Sequence, residues 1–158
     1  WSGAVQRIDG WRAALTAAGQ PPPPAALVHG DWSSLSGADR MEVLLEQYPA
    51  MDAIFVGNDQ MALGAMAVCH RRGIRIPDDI AIIGFDGIAE SAEYFPPLST
   101  MVQPLRRMGE IAINELLAQG ADATRSSSGS VVLDVELLAR ASTLGAGAEA
   151  ASAATAAG

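Results

Sequence analysis

Lysine is absent from this chain of 158 residues, and its ten basic residues are all arginine. Eighteen Asp and Glu residues outweigh them and give a formal net charge of −8. That charge repels the phosphate backbone of nucleic acids, and no basic stripe interrupts it. Without lysine the phosphate-binding loop of nucleotide hydrolases is excluded as well. We therefore expect this chain, by itself, not to bind nucleic acid.

Cysteine is nearly absent too, since Cys69 is the single cysteine of the chain. One cysteine can form neither an internal disulfide nor a cysteine-based zinc cluster. We expect Cys69 to be a small buried apolar group. His29 and His70 have no partners at catalytic or metal-binding spacing, and the Gly-x-Ser-x-Gly elbow of serine hydrolases is missing. These absences predict a protein that is not an enzyme and holds no metal or cofactor.

Long apolar runs are lacking, because nothing approaches the ~18 consecutive apolar residues of a membrane span. No apolar leader precedes the body of the chain, which starts at Trp1 without Met, so Trp1 need not be a native N-terminus. We expect a soluble cytoplasmic protein that has no membrane partner. Its hydrophobic fraction of 49% suffices for the core of one domain.

Apolar periodicity predicts helices that alternate with short, continuously apolar strands. The predicted elements are a helix over 2–18, a proline connector, a strand over 25–29, a helix starting at Ser36 with Asp39 as capping partner, a strand over 53–56, a helix over 60–72, a strand over 80–85, a strand over 98–102, a helix over 105–120, a loop over 121–130, and a strand within 131–138. Strands buried on both faces indicate an α/β fold with a parallel sheet. The small residues from Gly145 onwards predict disorder.

Polar residues follow three of the predicted strands, at Asp31-Trp32, Asn58-Asp59 and Asp86. Open α/β sheets bind ligands outside the carboxyl ends of their strands. Carboxylates and amides can hydrogen-bond pairs of hydroxyl groups, and an indole offers a flat apolar face, so the set suits a sugar.

Structural roles are open alternatives for each of these residues. Asp59 is the expected cap of the helix that begins at Gln60, and Asn58 could be a cap instead. Asp31 could hold its own turn, and Trp32 could be a core residue. The apolar stripe of helix 105–120 predicts a packed helix face.

Three motifs in order resemble those of LacI/GalR-family transcription regulators. They are NDQMALGA at 58–65, IPDDIAIIGFD at 76–86 and PPLSTMVQP at 96–104. RIDGWRAAL at 7–15 and Arg140-Ala-Ser-Thr143 fit the same family, so the resemblance covers residues from about 3 to 144.

The resemblance implies a periplasmic-binding-protein-like fold of two α/β subdomains with a small-molecule effector, expected to be a sugar, in the cleft between them. It implies a sugar-responsive repressor that forms a homodimer and binds operator DNA only through an N-terminal helix-turn-helix outside this chain. The implied effector contacts are Arg7, Trp32, Asn58, Asp86 and Gln103. The implied dimer interface includes Leu63 and Tyr94.

By the same resemblance, residues 1–103 are the C-terminal subdomain without its first strand, and 104–130 return to the N-terminal subdomain. Residues 131–144 form a closing strand, and 145–158 a disordered tail without the leucine heptads of a tetramerisation helix. Helix 105–120 would then lose most of its packing partners. The alternative is a periplasmic or transporter-linked sugar-binding protein, which shares the fold and the cleft chemistry.

Overall fold

The computed structural model of the chain describes residues 2–121 and 130–144. Its helices are α1 (Ser2–Ala17), α2 (Ser34–Gln47), α3 (Asp59–Arg72), α4 (Leu105–Ala121) and α5 (Ala141–Leu144), and its strands are β1 (Ala53–Phe55), β2 (Ala81–Asp86), β3 (Ser99–Val102) and β4 (Glu136–Leu138). Short 3-10 turns span Pro24–Ala26 and Ala89–Glu93. The predicted tail, and all but the ends of the predicted loop over 121–130, lie outside the described residues.

The described strands form one sheet in the order β1-β2-β3-β4. β1, β2 and β3 are parallel, with Ala53 beside Ala81 and Ile83 beside Ser99. β4 is antiparallel to β3, with Thr100 beside Leu138. The predicted α/β class is therefore confirmed, and the carboxyl ends of the three parallel strands share one edge of the sheet.

The core lies where α2 and α3 pack against each other and α3 packs against β2. Its least accessible side chains include Met41, Met66, Val68, Ile82 and Leu98. Cys69 is fully buried among them, as predicted, and burial raises the pKa of its thiol to about 11. A thiol in that state is an apolar packing group.

Two glycines allow the backbones of α2 and α3 to touch. A Cβ on Gly37 would lie 2.6 Å from the Cα of Met61, and a Cβ on Gly64 would lie 2.7 Å from the backbone N of Ala38. No real Cβ tolerates such separations. The crossing therefore fixes the spacing between the N-terminal ends of α2 and α3, which is where Trp32 and Asn58 lie.

The predicted strand over 25–29 is wrong. Pro24–Ala26 form a 3-10 turn, and the extended backbone that follows, with Leu27 at φ −125° and ψ 126°, pairs with no strand in the described chain. A strand needs a hydrogen-bonding neighbour. The strand predicted within 131–138 is likewise shorter, since only Glu136–Leu138 pair with β3.

The helix after Trp32 begins at Ser34, earlier than the predicted start at Ser36. Ser33 is its cap, because the Ser33 Oγ accepts a hydrogen bond from the Ser36 amide at 3.1 Å. The Ser36 hydroxyl accepts instead from the Asp31 amide at 2.9 Å. Asp39 does not enter this cap, so the predicted capping pair is wrong.

The apolar stripe of α4 is exposed and not packed, with Leu105 at 64% and Leu116 at 63% exposure. The segment with Val131 and Leu133 faces α4 across an open pocket of about 310 Å³. The packed face expected from the periodicity alone is wrong for this chain. Residues that share a helix face can be covered only where another element reaches them.

Candidate functional site

An apolar cleft of about 550 Å³ separates α1 from the body of the protein. Trp11 and Leu15 of α1 line one side, and Leu44 and Ile54 line the other. No residue of α1 is buried. Arg7 and Trp32 border this apolar cleft, whereas Asn58, Asp86 and Gln103 do not line it. The effector contacts expected from the sequence therefore lie at and beyond one end of the apolar cleft.

Arg7 links α1 to the ends of the strands. Its Nη1 donates a hydrogen bond to the carbonyl oxygen of Gly57 at 2.9 Å. The guanidinium carbon lies 3.9 Å from the ring centroid of Phe85 and 5.7 Å from that of Trp32. A guanidinium over aromatic faces gains cation–π attraction, so Arg7 joins the two rings. The sequence pattern, which places Phe85 inside a buried strand, gave no indication of this contact.

Asn58 is the N-cap of α3, because its Oδ1 accepts a hydrogen bond from the Met61 amide at 2.9 Å. Its Nδ2 donates to the backbone oxygen of Trp32 at 3.0 Å. Trp32 has a φ of 77°, which is uncommon outside glycine, and this bond helps to hold it there. Trp32 is partly buried and does not belong to the buried core cluster. The cap expected at Asp59 is wrong.

Asp86 and Gln103 meet at the carboxyl ends of β2 and β3. The Gln103 Nε2 donates a hydrogen bond to the Asp86 Oδ1 at 2.7 Å. Burial raises the pKa of Asp86, while the Gln103 bond and the charge of Arg7 oppose that rise. Within residues 2–121 and 130–144 the second oxygen, Oδ2, accepts no hydrogen bond. Asp86 thus offers a free carboxylate oxygen in a partly buried place.

Asp31 holds its own turn, in agreement with the structural alternative. Its Oδ1 accepts from the Ser33 hydroxyl at 2.6 Å and from the Ser33 amide at 3.0 Å. These hydrogen bonds, the hydroxyl bond first, lower the pKa of Asp31 to about 2. Its carboxylate serves the loop that carries Trp32.

Asp59 is fully buried, and its carboxylate holds the loop after β2. Oδ2 accepts from the Gly87 and Ile88 amides at 3.0 and 2.9 Å, and Oδ1 accepts from the Thr100 hydroxyl at 2.7 Å. The sequence suggested only a helix cap, because the partners are 28 to 41 residues away.

The predicted interface residues are Leu63, which lies on α3, and Tyr94, which contacts the same helix. Leu63 is 40% exposed on α3, and the half-buried Tyr94 donates its hydroxyl to the Asp59 carbonyl on the same helix at 3.4 Å. Phe95 is 81% exposed, and its ring centroid lies 5.9 Å from that of His70. Leu63 and His70 share a face of α3, so this helix face carries an exposed apolar patch.

The described residues contain no cluster of three or more His, Cys, Asp or Glu that could hold a metal ion. None of the described helices is long and apolar enough to cross a membrane.

The chain is similar to known proteins in both sequence and structure. A family model described as the periplasmic binding protein-like domain matches residues 2–143. The lactose operon repressor of Escherichia coli K12 is 36% identical over 140 residues, which cover 87% of this chain and 37% of that protein. The chain therefore spans well under half the length of this relative.

Solved structures agree. A transcriptional regulator CelR–cellobiose complex superposes with a TM-score of 0.81 at 33% identity, covering 87% of this chain and 42% of that one. The lac repressor dimer bound to operator and the anti-inducer ONPF superposes with a TM-score of 0.79 at 34% identity, covering 90% and 48%. The chain belongs to the periplasmic binding protein-like domain family, in the form found in LacI-type transcriptional regulators.

Proposed function

We propose that this chain is the effector-binding and dimerisation module of a cytoplasmic, sugar-responsive transcriptional repressor without catalytic activity. Operator DNA would be bound by a helix-turn-helix outside these residues, which agrees with the net charge of −8. The observation that carries the proposal is the cluster of Arg7, Trp32, Asp86 and Gln103 at the carboxyl ends of the parallel strands.

The chemistry of the cluster suits a sugar. The free Oδ2 of Asp86 can accept from a hydroxyl group, and Arg7 supplies donors nearby. Trp32 offers an aromatic face to the apolar side of a sugar ring, whereas the guanidinium of Arg7 lies over the ring of Phe85. Asn58 stays a predicted contact, because the two hydrogen bonds that it makes leave one amide hydrogen for a ligand. The similar regulator solved with cellobiose supports a sugar as the effector, and relatives that are repressors favour regulation over sugar transport.

A thermal-shift screen of the full-length protein against sugars and nucleosides tests the proposal. A ligand at 100 times its Kd should stabilise the protein by about 2.7 kcal/mol. Trp32→Ala should abolish most of the shift, while the unliganded melting temperature stays nearly unchanged, because Trp32 lies outside the buried core cluster.

Two results would count against these assignments. If no sugar or nucleoside shifts the melting temperature of the unaltered protein, the effector class is wrong. If Trp32→Ala costs about 3–5 kcal/mol without ligand, as truncation of a core tryptophan does, then Trp32 is a packing residue and does not stack on the effector.

The domain division predicted from the resemblance gains support from the open edge of β1. The Ala81 amide of β2 donates a hydrogen bond to the Asp52 carbonyl oxygen at 2.8 Å. The Val56 amide donates to the carbonyl oxygen of Ile83, also on β2 and also at 2.8 Å. In a parallel strand successive peptide groups alternate in direction, so those of Ala53 and Phe55 point to the other side, where the described chain pairs with nothing. That side is the apolar cleft, which residues 27–30 also line. We propose that a parallel strand from outside these 158 residues fills the cleft.

Amide hydrogen exchange checks the missing strand. In the 158 residues alone, the amides of Ala53 and Phe55 should exchange much faster than those of Ile54 and Val56, which donate to β2 and are the internal control. In the full-length protein all four should be protected, because a new strand would accept from the first pair. Equal protection of the four amides in the 158 residues alone would contradict the division.

The exposed apolar face of α3 supports the predicted homodimer. Leu63 and Phe95 expose 40% and 81% of their surface, and the lac repressor relative is described as a dimer. We expect the full-length protein to be a dimer by light scattering. Leu63→Glu should shift it towards monomer, because an unpaired charge would be buried in the interface. The exposed Leu35→Glu on α2 is the matched control and should leave the dimer intact. A monomer at micromolar concentration without any substitution would refute the interface.

A further inference from the structure

The loop after β2 leaves the sheet with an unusual backbone. Asp86 has a φ of 116° and Gly87 a φ of 73°. Positive φ is disfavoured for a residue with a Cβ, so Asp86 holds this conformation only because its surroundings fix it. A Cβ on Gly87 would lie 2.8 Å from Val102 Cγ2, so the loop is also pressed against β3.

The Asp59 carboxylate is what fixes the loop. It lies in the first turn of α3, where the helix dipole favours a negative charge, and it accepts the amides of both Gly87 and Ile88. The Thr100 hydroxyl on β3 donates to its other oxygen. Gly84 leaves room for it, since a Cβ there would lie 3.3 Å from the Asp59 Cγ and closer still to its Oδ1.

The start of α3 therefore contacts both the loop that carries Trp32 and the loop that carries Asp86. Asn58 holds the backbone oxygen of Trp32, and the neighbouring Asp59 holds the loop that carries Asp86. Two residues adjacent in sequence thus set the distance between the indole and the carboxylate of the candidate site.

We propose that Asp59 is a positioning residue for effector recognition, whose carboxylate fixes the 86–88 loop so that the Asp86 side chain is presented beside Gln103. This proposal rests on the proposed function in one respect, namely that Asp86 contacts the effector. Asp59 itself is fully buried, so it acts through the loop and not by direct contact with the effector.

The test compares Asp59→Ala with Asp59→Asn by NMR of the full chain without any sugar. Alanine removes both carboxylate oxygens, which takes away the acceptor of the Ile88 amide and leaves the Gly87 amide with the Thr100 hydroxyl at 3.2 Å. Asparagine can keep one, because its amide oxygen can face the Gly87 and Ile88 amides while its NH2 group donates to the Thr100 hydroxyl. Ser142→Ala is the matched control: its buried hydroxyl donates to the Ile82 carbonyl on β2 and accepts from the Ser99 amide on β3, away from the loop.

In Asp59→Ala the amide of Ile88 should exchange at least about tenfold faster, after correction for any change in global stability, and that of Gly87 by a smaller factor, because it also donates to the Thr100 hydroxyl. The side-chain amide resonances of Gln103 should move towards solvent-exposed values, because Asp86 no longer faces it. Asp59→Asn should restore both signals. Ser142→Ala should lower the melting temperature but leave Gln103 unchanged.

The proposal is overturned if Asp59→Ala leaves the Gln103 signals in place, or if Ser142→Ala moves them equally. Should Asp59→Ala fail to fold, Thr100→Val removes the hydroxyl that donates to Asp59 and also accepts from the Gly87 amide, and it should produce smaller changes at Ile88 and Gln103. Since no sugar is used, the result stands apart from the screen that tests the proposed function.

Discussion

Gly64→Ala is expected to destabilise the protein by roughly 3 kcal/mol, the usual scale for a side chain forced into packed surroundings. For a chain of this size that lowers the melting temperature by roughly 6–12 °C. The direction opposes helix propensity, since Ala is favoured over Gly by about 1 kcal/mol in an exposed helix. The reason is the contact between helices: the new Cβ would lie 2.7 Å from the Ala38 backbone N and closer still to the Ser34 carbonyl oxygen.

Backbone atoms cannot rotate away, so α2 and α3 would have to move apart. That movement would open the core around Met41 and Met66, which are 1% and 2% exposed. It would also separate Trp32 from Asn58, whose 3.0 Å hydrogen bond links the two helix starts. Gly64→Ala should therefore weaken effector binding in addition to lowering stability.

Gly10→Ala in α1 is the matched control. A Cβ there meets nothing within 4 Å, so the substitution changes only the helix propensity. It should raise the free energy of unfolding by up to about 1 kcal/mol. Chemical denaturation of both variants gives the two free energies of unfolding. If Gly64→Ala is as stable as Gly10→Ala, the close helix crossing is wrong.

Local pattern was sufficient for most of the fold. The strands at 53–55 and 81–86 lie in largely apolar runs next to helices with 3.6-residue periodicity, and both features can be recognised within a window of about 15 residues. The segment 25–29 misled because an apolar run shows that a strand could form, but not that a neighbour is present to pair with it. The stripe of α4 misled for the same reason.

The sequence could nominate residues for the candidate site, but it could not predict the hydrogen bonds that these residues make. Asp86 and Trp32 follow apolar runs, and polar residues at such places indicate a ligand edge. Sequence could not show that Asn58 caps α3 while Asp59 holds a distant loop, because neighbouring residues both suited to capping compete for one helix end. Phe85 was missed because a strand residue's face depends on register, which long-range pairing sets.

Asp86→Ala should weaken effector binding by about tenfold to a hundredfold, measured by calorimetry with the sugar that gives the largest thermal shift. Hydrogen bonds to a charged group are worth roughly 1.5–3 kcal/mol, and the carboxylate has one oxygen fixed by Gln103 and one free for the ligand. Asp9→Ala on α1 removes the same charge from an exposed position and should leave the affinity unchanged.

Backbone strain must be separated from the lost contact, because alanine tolerates the φ of 116° at position 86 less well than aspartate. Asp86→Asn tolerates that backbone and can keep the Gln103 bond through its amide oxygen, but it loses the negative charge. It should therefore retain the unaltered melting temperature and still bind the effector more weakly. If a folded Asp86→Asn protein and Asp86→Ala both bind with full affinity, the free oxygen does not contact the ligand, and recognition rests on Arg7 and Trp32 instead.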